Sequence, residues 1–355
     1  MASTGTLTDG LTRLGLAYVG SAADLWTRAW EVSARHARQA VVGSREGRGS
    51  LALGEQNLPR ALRRYLIELA TVPALALERL IDGLDPVRVG PAGPARRIGG
   101  QSIPIPARVL DATQGMAIYA VPRDVAQAVL AAQKAPFVPV DLGRNVTGLA
   151  ITGVRYRASD LGVYDEVGVG FLVAPARDPH AVGLYFFALP VTGRLSRLAG
   201  TTIWGYAKTE ERIDVTLGDT RATWALRRRR GRTHVLTISF PRGGHGSSTG
   251  VTLPTYTLRN GHAARALFVR TGRGERTLAG SGAVTLSLGD GARTRDPLVA
   301  VLNRLGLPSA PVILHSWTET MSGELGPPQR LSPREPARAA RARVRGSRRR
   351  RPRRS

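Results

Sequence analysis

The stretch VTGLAITGVRYRASDLGVYDEVGVGFLVA (146–174) decides the fold class. Two runs, 146–158 and 162–174, alternate small or apolar residues with polar ones, as half-buried β-strands do. A short polar turn with glycine joins them. Working outward, the same texture recurs in AVGLYFFALPV (181–191), ERIDVTL (211–217), RATWAL (221–226), HVLTISF (234–240), RALFVRT (265–271) and PVILHSW (311–317). Two segments break it and predict helices. PRDVAQAVLAAQ (122–133) has proline in its first turn, and DPLVAVLNRLG (296–306) has aspartate before proline and a closing glycine. Closely spaced strands with few helices predict an α+β chain, mainly β, whose antiparallel sheet curls into a barrel or sandwich.

Upstream the pattern changes. Leu11, Leu14, Tyr18, Leu25, Ala29 and Val32 recur at helical spacings, and a second helix is predicted from Pro59 to Gly83. Residues 1–84 therefore form an expected helical extension. The Pro/Gly/Arg-rich residues 85–103 form an expected linker, and the β domain runs from 104 to 325. Residues 326–355 form an Arg-rich tail whose composition predicts disorder. The opening MASTGTLTDG lacks a basic segment followed by an apolar one, and no apolar run is long enough to span a bilayer, so a cytoplasmic protein is expected.

The 355-residue chain carries a formal charge of +25, but ten of those charges are the arginines between Arg338 and Arg354. Such a tail makes non-specific, salt-sensitive contacts with polyanions and does not by itself define a nucleic-acid-binding protein. A second run, Arg227 to Arg230, reads as a solvated strand end or hairpin. With no cysteine in the chain, disulfides, thiolate metal sites and cysteine nucleophiles are excluded. The histidines are scattered, so neither a metal nor a cofactor is expected. PRGGHGSSTG (241–250) reads as a hairpin loop, because it has neither the lysine nor the strand–helix setting of a phosphate loop.

Of 51 lysines and arginines, only Lys134 and Lys208 are lysine. Arginine replaces lysine wherever a positive charge suffices, but it stays protonated and cannot attack a carbonyl as a neutral amine. Lys208 closes the run IWGYAK (203–208), and Glu166 sits among apolar residues two predicted strands earlier. A carboxylate and an amine sharing an apolar cavity suit Schiff-base chemistry, with the amine attacking a carbonyl and the carboxylate moving protons.

IWGYAK resembles the glycine–aromatic–proline–lysine segment of the acetoacetate decarboxylase-like superfamily, and LGVYDEVGV (161–169) resembles its glycine–x–tyrosine–x–glutamate strand. AIYAVPRDVAQAVL (117–130) and APVILHS (310–316) are similar to its opening and closing segments. The resemblance implies a curved β-barrel or cone with an apolar central cavity, Lys208 as Schiff-base nucleophile and Glu166 as its polar companion. Gly205 and Tyr206 would shape the turn and wall that present the lysine. It also implies a lyase acting on a small or apolar keto acid, and assembly into homo-oligomers. Three positions depart from the pattern. Thr209 stands where the decarboxylase has a second lysine, Ala207 replaces the proline, and 110–119 lacks the decarboxylase's arginine. Arg155 or Arg157 is the expected substitute for carboxylate recognition, and burial is expected to lower the Lys208 pKa. Aldolase- or dehydratase-type Schiff-base chemistry, or non-catalytic binding of an apolar ligand, are the alternatives.

Overall fold

A computed structural model describes residues 93–331, apart from 180, 280–282 and 291–294. The expected helices of residues 1–84 and the arginine run after Arg338 lie outside the described residues.

Among the described residues, sixteen strands follow in chain order. They are β1 (Gly93–Ile98), β2 (Gln101–Ile105), β3 (Ala107–Pro122), β4 (Phe137–Pro139), β5 (Val146–Ser159), β6 (Tyr164–Pro175), β7 (Gly183–Val191), β8 (Lys208–Glu210), β9 (Arg212–Leu217), β10 (Arg221–Arg227), β11 (His234–Pro241), β12 (Gly246–Arg259), β13 (His262–Ala279), β14 (Thr285–Leu288), β15 (Val312–Leu325) and β16 (Gln329–Arg330). The helices are α1 (Arg123–Ala132), α2 (Arg194–Ala199), which runs on into a π-helical turn at Gly200–Trp204, and α3 (Pro297–Arg304).

Seven strands close a barrel in the order β6, β5, β3, β15, β13, β12, β7 and back to β6. Every joint is antiparallel except β7–β12, where Thr255 pairs with Leu184 and Tyr256 with Tyr185 in parallel register. Closure leaves these strands without a free edge. A second sheet, ordered β14–β11–β10–β9, packs on the outside. Its seat is cut by glycines. Gly115 on β3 pairs directly with Gly153 on β5. A Cβ at Gly115 would stand 2.4 Å from the Phe240 ring, and one at Gly153 would stand 2.5 Å from that of Trp224. The two missing side chains make a notch that these fully buried rings fill. Burying a ring of that size removes about 150–250 Å² from water, on the order of 4–6 kcal/mol.

Two of these helices, α1 and α3, stand where the sequence predicts them, whereas α2 was not expected. α1 buries Ala126, Val129 and Leu130 on one face. The side chain of Asp296 caps α3, accepting from the backbone N–H of Leu298 and Val299 at 2.9 and 3.2 Å. Asp296 also accepts from Arg228 at 2.6 and 3.0 Å, and Glu211 takes a further bond from Arg228 at 2.9 Å. The arginine run at 227–230 thus forms a strand end and turn, with part of its charge neutralised by acids distant in sequence.

Three boundaries differ from the sequence reading. Residues 93–98, inside the expected linker, pair with 101–105, which straddle its end at 103, as the β1–β2 hairpin. Within the expected glycine-rich loop, residues from Gly246 onward join β12 across two register shifts. Gln329 and Arg330, inside the expected tail, pair with Arg265 and Ala264. Among the described residues no helix is long and apolar enough to cross a membrane.

Candidate active site

Lys208 is delivered into the barrel by a pinned turn. The π-helical turn ends at Gly205, whose φ is +81° and where a Cβ would stand 2.6 Å from the backbone oxygen of Leu258. Only glycine combines that left-handed backbone with so close an approach. The Nε1–H of Trp204 donates to the oxygen of Gly326 at 2.8 Å, and the hydroxyl of Thr257 donates to the oxygen of Trp204 at 2.6 Å. Lys208 then opens β8, paired with Leu189, and Glu166 pairs with Val191 of the same strand β7. Neighbouring register on one strand brings amine and carboxylate together.

The Nζ of Lys208 donates to Oε2 of Glu166 at 2.7 Å and to Oγ of the fully buried Ser196 at 2.9 Å. The hydroxyl of Tyr156 donates to the other oxygen of Glu166 at 3.3 Å. Tyr156 stacks on Tyr164 with ring centroids 4.3 Å apart, and Nζ lies 5.2 Å from the centre of the Tyr164 ring. The lysine and glutamate side chains are only 6% and 10% exposed, so the pair is effectively out of water. Burial, the largest single influence, presses the Lys208 pKa down, but the Glu166 carboxylate together with Tyr164 and Tyr206 outweighs it, and the amine is held above its ordinary value of 10.5. The expected lowering is therefore reversed, because the amine is buried against a carboxylate rather than against apolar surface alone. Burial also raises Tyr206, to about 12. The Tyr206 hydroxyl bonds Oγ1 of Thr255 at 2.6 Å, and Thr255 gives its single proton to the oxygen of Ala266 at 3.1 Å. Tyr206 is therefore the donor of that pair.

Lys208, Glu166, Tyr156, Tyr164 and Tyr206 line one cavity of about 120 Å³. Its remaining wall is largely apolar, with Met116, Val154, Phe186, Leu189, Leu253 and Phe268 among its side chains.

Neither a protein-family model nor a curated protein matches the chain. Solved structures do. Acetoacetate decarboxylase from Legionella pneumophila superposes with a TM-score of 0.51 at 15% identity, over 69% of this chain and 90% of that one. The chain has the acetoacetate decarboxylase-like fold. An acetoacetate decarboxylase-like enzyme from Sphingomonas wittichii matches at 13% identity and a TM-score of 0.45, over 66% of this chain and 96% of that one. The enduracididine biosynthesis enzyme MppR, solved with the condensation product of pyruvate and imidazole 4-carboxaldehyde, matches at 15% identity and a TM-score of 0.45. That alignment covers 69% of this chain and all of that one.

On this acetoacetate decarboxylase-like fold, the residues singled out from sequence do not all meet. Lys208, Glu166 and Tyr206 share the cavity, whereas Gly205 stands behind it in the turn. Arg155 and Arg157 do not line it. On β5 the cavity side is held by Thr152, Val154 and Tyr156, so the arginines between and after them project the other way. Arg155 lies 3.7 Å from Asp165, and Arg157 bonds Asp111 at 2.7 and 2.6 Å. Thr209 is exposed. The arginine that does line the cavity is Arg108, at the start of β3, where it bonds Asp160 at 3.1 and 3.0 Å. Tyr164, Tyr156 and Ser196 were missed. Tyr164 was legible, since it stands two residues before Glu166 and so shares its strand face. Ser196, on a six-residue helix, carried no signal in sequence.

Proposed function

We propose that the chain is a Schiff-base-forming enzyme, with Lys208 the nucleophile and Glu166 its proton carrier, acting on a small or apolar carbonyl compound. One observation carries this reading. A buried amine lies 2.7 Å from a buried carboxylate at the wall of a largely apolar cavity. At rest the pair is an ammonium and a carboxylate. Glu166 takes a proton from Nζ, and the neutral amine attacks the substrate carbonyl, forming a C–N bond as the C=O π bond opens. A second Nζ proton passes to the alkoxide oxygen, giving the carbinolamine, and the Glu166 carboxyl group returns the first, so the oxygen leaves as water and the nitrogen keeps one proton. The resulting iminium draws electrons from a neighbouring bond, which is what cleavage beside the carbonyl requires. The cavity, about 120 Å³, is somewhat smaller than the roughly 150 Å³ that houses a benzene molecule. That size suits a small substrate.

Proton transfer of the aldol or dehydration type is favoured over decarboxylation by the placement of Glu166. A carboxylate touching the amine is positioned to move protons at the carbon next to the iminium, whereas Arg155 and Arg157 face away from the cavity. The test is reduction with borohydride in the presence of pyruvate or a small ketone. An intact-mass increase equal to one reduced adduct is expected, and no increase with any carbonyl compound would rule the reading out.

A further inference from the structure

We propose that the cavity takes an uncharged carbonyl compound, a small ketone or aldehyde, in preference to a keto acid. The inference rests on Lys208 being the Schiff-base nucleophile. It follows from how the cavity's charges are already spent. Two cations line the cavity among the described residues, Lys208 and Arg108. Lys208 faces Glu166 at 2.7 Å. Arg108 gives Nε and Nη2 to Asp160 at 3.1 and 3.0 Å, and its backbone N–H also goes to that carboxylate at 2.7 Å. Glu324 adds a second negative charge near the Arg108 guanidinium.

A keto acid would bring an anion into this arrangement. Once Lys208 becomes an iminium it keeps one positive charge, which Glu166 already faces. The substrate carboxylate would then lie against apolar side chains such as Val154 and Phe186 without a cation of its own, which is strongly unfavourable. Arg108 is already bound to Asp160, and its backbone stands well along the barrel from the ion pair. Its neighbour Val109 pairs with Ser159, whereas Glu166 pairs with Val154, five residues back along β5. The two backbone anchors are thus roughly 16 Å apart along the strand, and a keto acid held at Lys208 could use the Arg108 guanidinium only by drawing it away from Asp160. A ketone bearing an alkyl group in place of the carboxylate meets none of these costs.

The test uses the full chain and an isosteric pair, pyruvate and 3-methylbutan-2-one, in which isopropyl replaces carboxylate. Cyanoborohydride labelling of Lys208 is followed by mass spectrometry, and each rate is divided by the rate of the same compound with Nα-acetyl-lysine. This removes the intrinsic difference in electrophilicity. The normalised rate for the ketone should exceed that for pyruvate at least tenfold. A smaller ratio, or a preference for pyruvate, overturns the inference and leaves the Schiff-base reading standing. Absence of label at Lys208 from both compounds overturns the Schiff-base reading itself. As a second arm, Gln114→Arg adds a cation to the cavity wall and should cut the ratio at least threefold. An unchanged ratio in a folded variant counts against the inference.

Discussion

Gly200 lies so close to the stem of Lys208 that a Cβ there would stand 2.6 Å from its Cδ and 2.9 Å from its Cε. The lysine is held at its tip by Glu166 and Ser196, so the stem cannot step aside without moving the amine. Gly200 itself has helical angles, φ −58° and ψ −42°, which alanine adopts without strain. Gly200→Ala should therefore leave the fold intact, at a cost of about 1–3 kcal/mol for overpacking. It should also slow reductive labelling of Lys208 at least tenfold. Labelling at the wild-type rate would show that the amine does not depend on this packing.

The ion pair makes stability depend on pH in a direction that one substitution should reverse. Lys208 has a folded pKa above its ordinary 10.5, so its contribution is complete below that pH and is lost as pH rises through the folded value. In Glu166→Gln the carboxylate is gone and burial, the largest influence on this amine, is opposed only by Tyr164 and Tyr206, so the lysine is pulled below its unfolded value. That variant should lose about 3 kcal/mol at pH 7 and regain stability as pH rises toward 10.5. Denaturant titrations across pH 7 to 11 should give a flat, then falling, wild-type curve and a rising variant curve. Parallel curves would remove Glu166 as the controlling charge.

The notch beneath the second sheet should be intolerant of a single methyl group. At Gly153 a Cβ meets the Trp224 ring at 2.5 Å, and the whole ring would have to shift. Gly153→Ala should cost about 1–3 kcal/mol. Because Gly153 faces away from the cavity, labelling of Lys208 should be unchanged in the folded fraction. Thermal unfolding read beside the labelling rate separates the two effects.

Asp296 performs two tasks with one carboxylate, capping α3 and receiving Arg228. Asp296→Ala removes a cap, typically about 1 kcal/mol, and leaves part of a half-buried guanidinium without its partner, about 1–3 kcal/mol more. Asp296→Asn keeps an oxygen for the cap and should recover roughly the first part only. Chemical denaturation of the two variants checks the split.

Much of this was legible in sequence because it depends on period and on rare residues. The strand runs, both helices and the Asp296 cap follow from local pattern. Lys208 stood out because lysine is almost absent, and Glu166 because a carboxylate sits among apolar residues. Strict alternation along β5 also carries the facing of Arg155 and Arg157. Val154 and Tyr156 on the cavity side place the arginines opposite. What was not legible is long-range pairing. Nothing local says that Gly246 continues a strand, that Gly93–Ile98 finds Gln101–Ile105, or that Arg228 meets Glu211 and Asp296. The direction of the Lys208 pKa could not be read either, since it turns on a 2.7 Å contact between residues 42 positions apart.

Peptide mapping after borohydride reduction with a small carbonyl compound tests the assignment of Lys208 most directly. With only two lysines in the chain, Lys134 serves as an internal control at the turn that follows α1. The reduced adduct should be found on the peptide carrying Lys208, approaching one per chain, with Lys134 labelled far more slowly, and Lys208→Arg should abolish it. Equal labelling of the two lysines, or label on Lys134 alone, would contradict a Schiff-base role for Lys208.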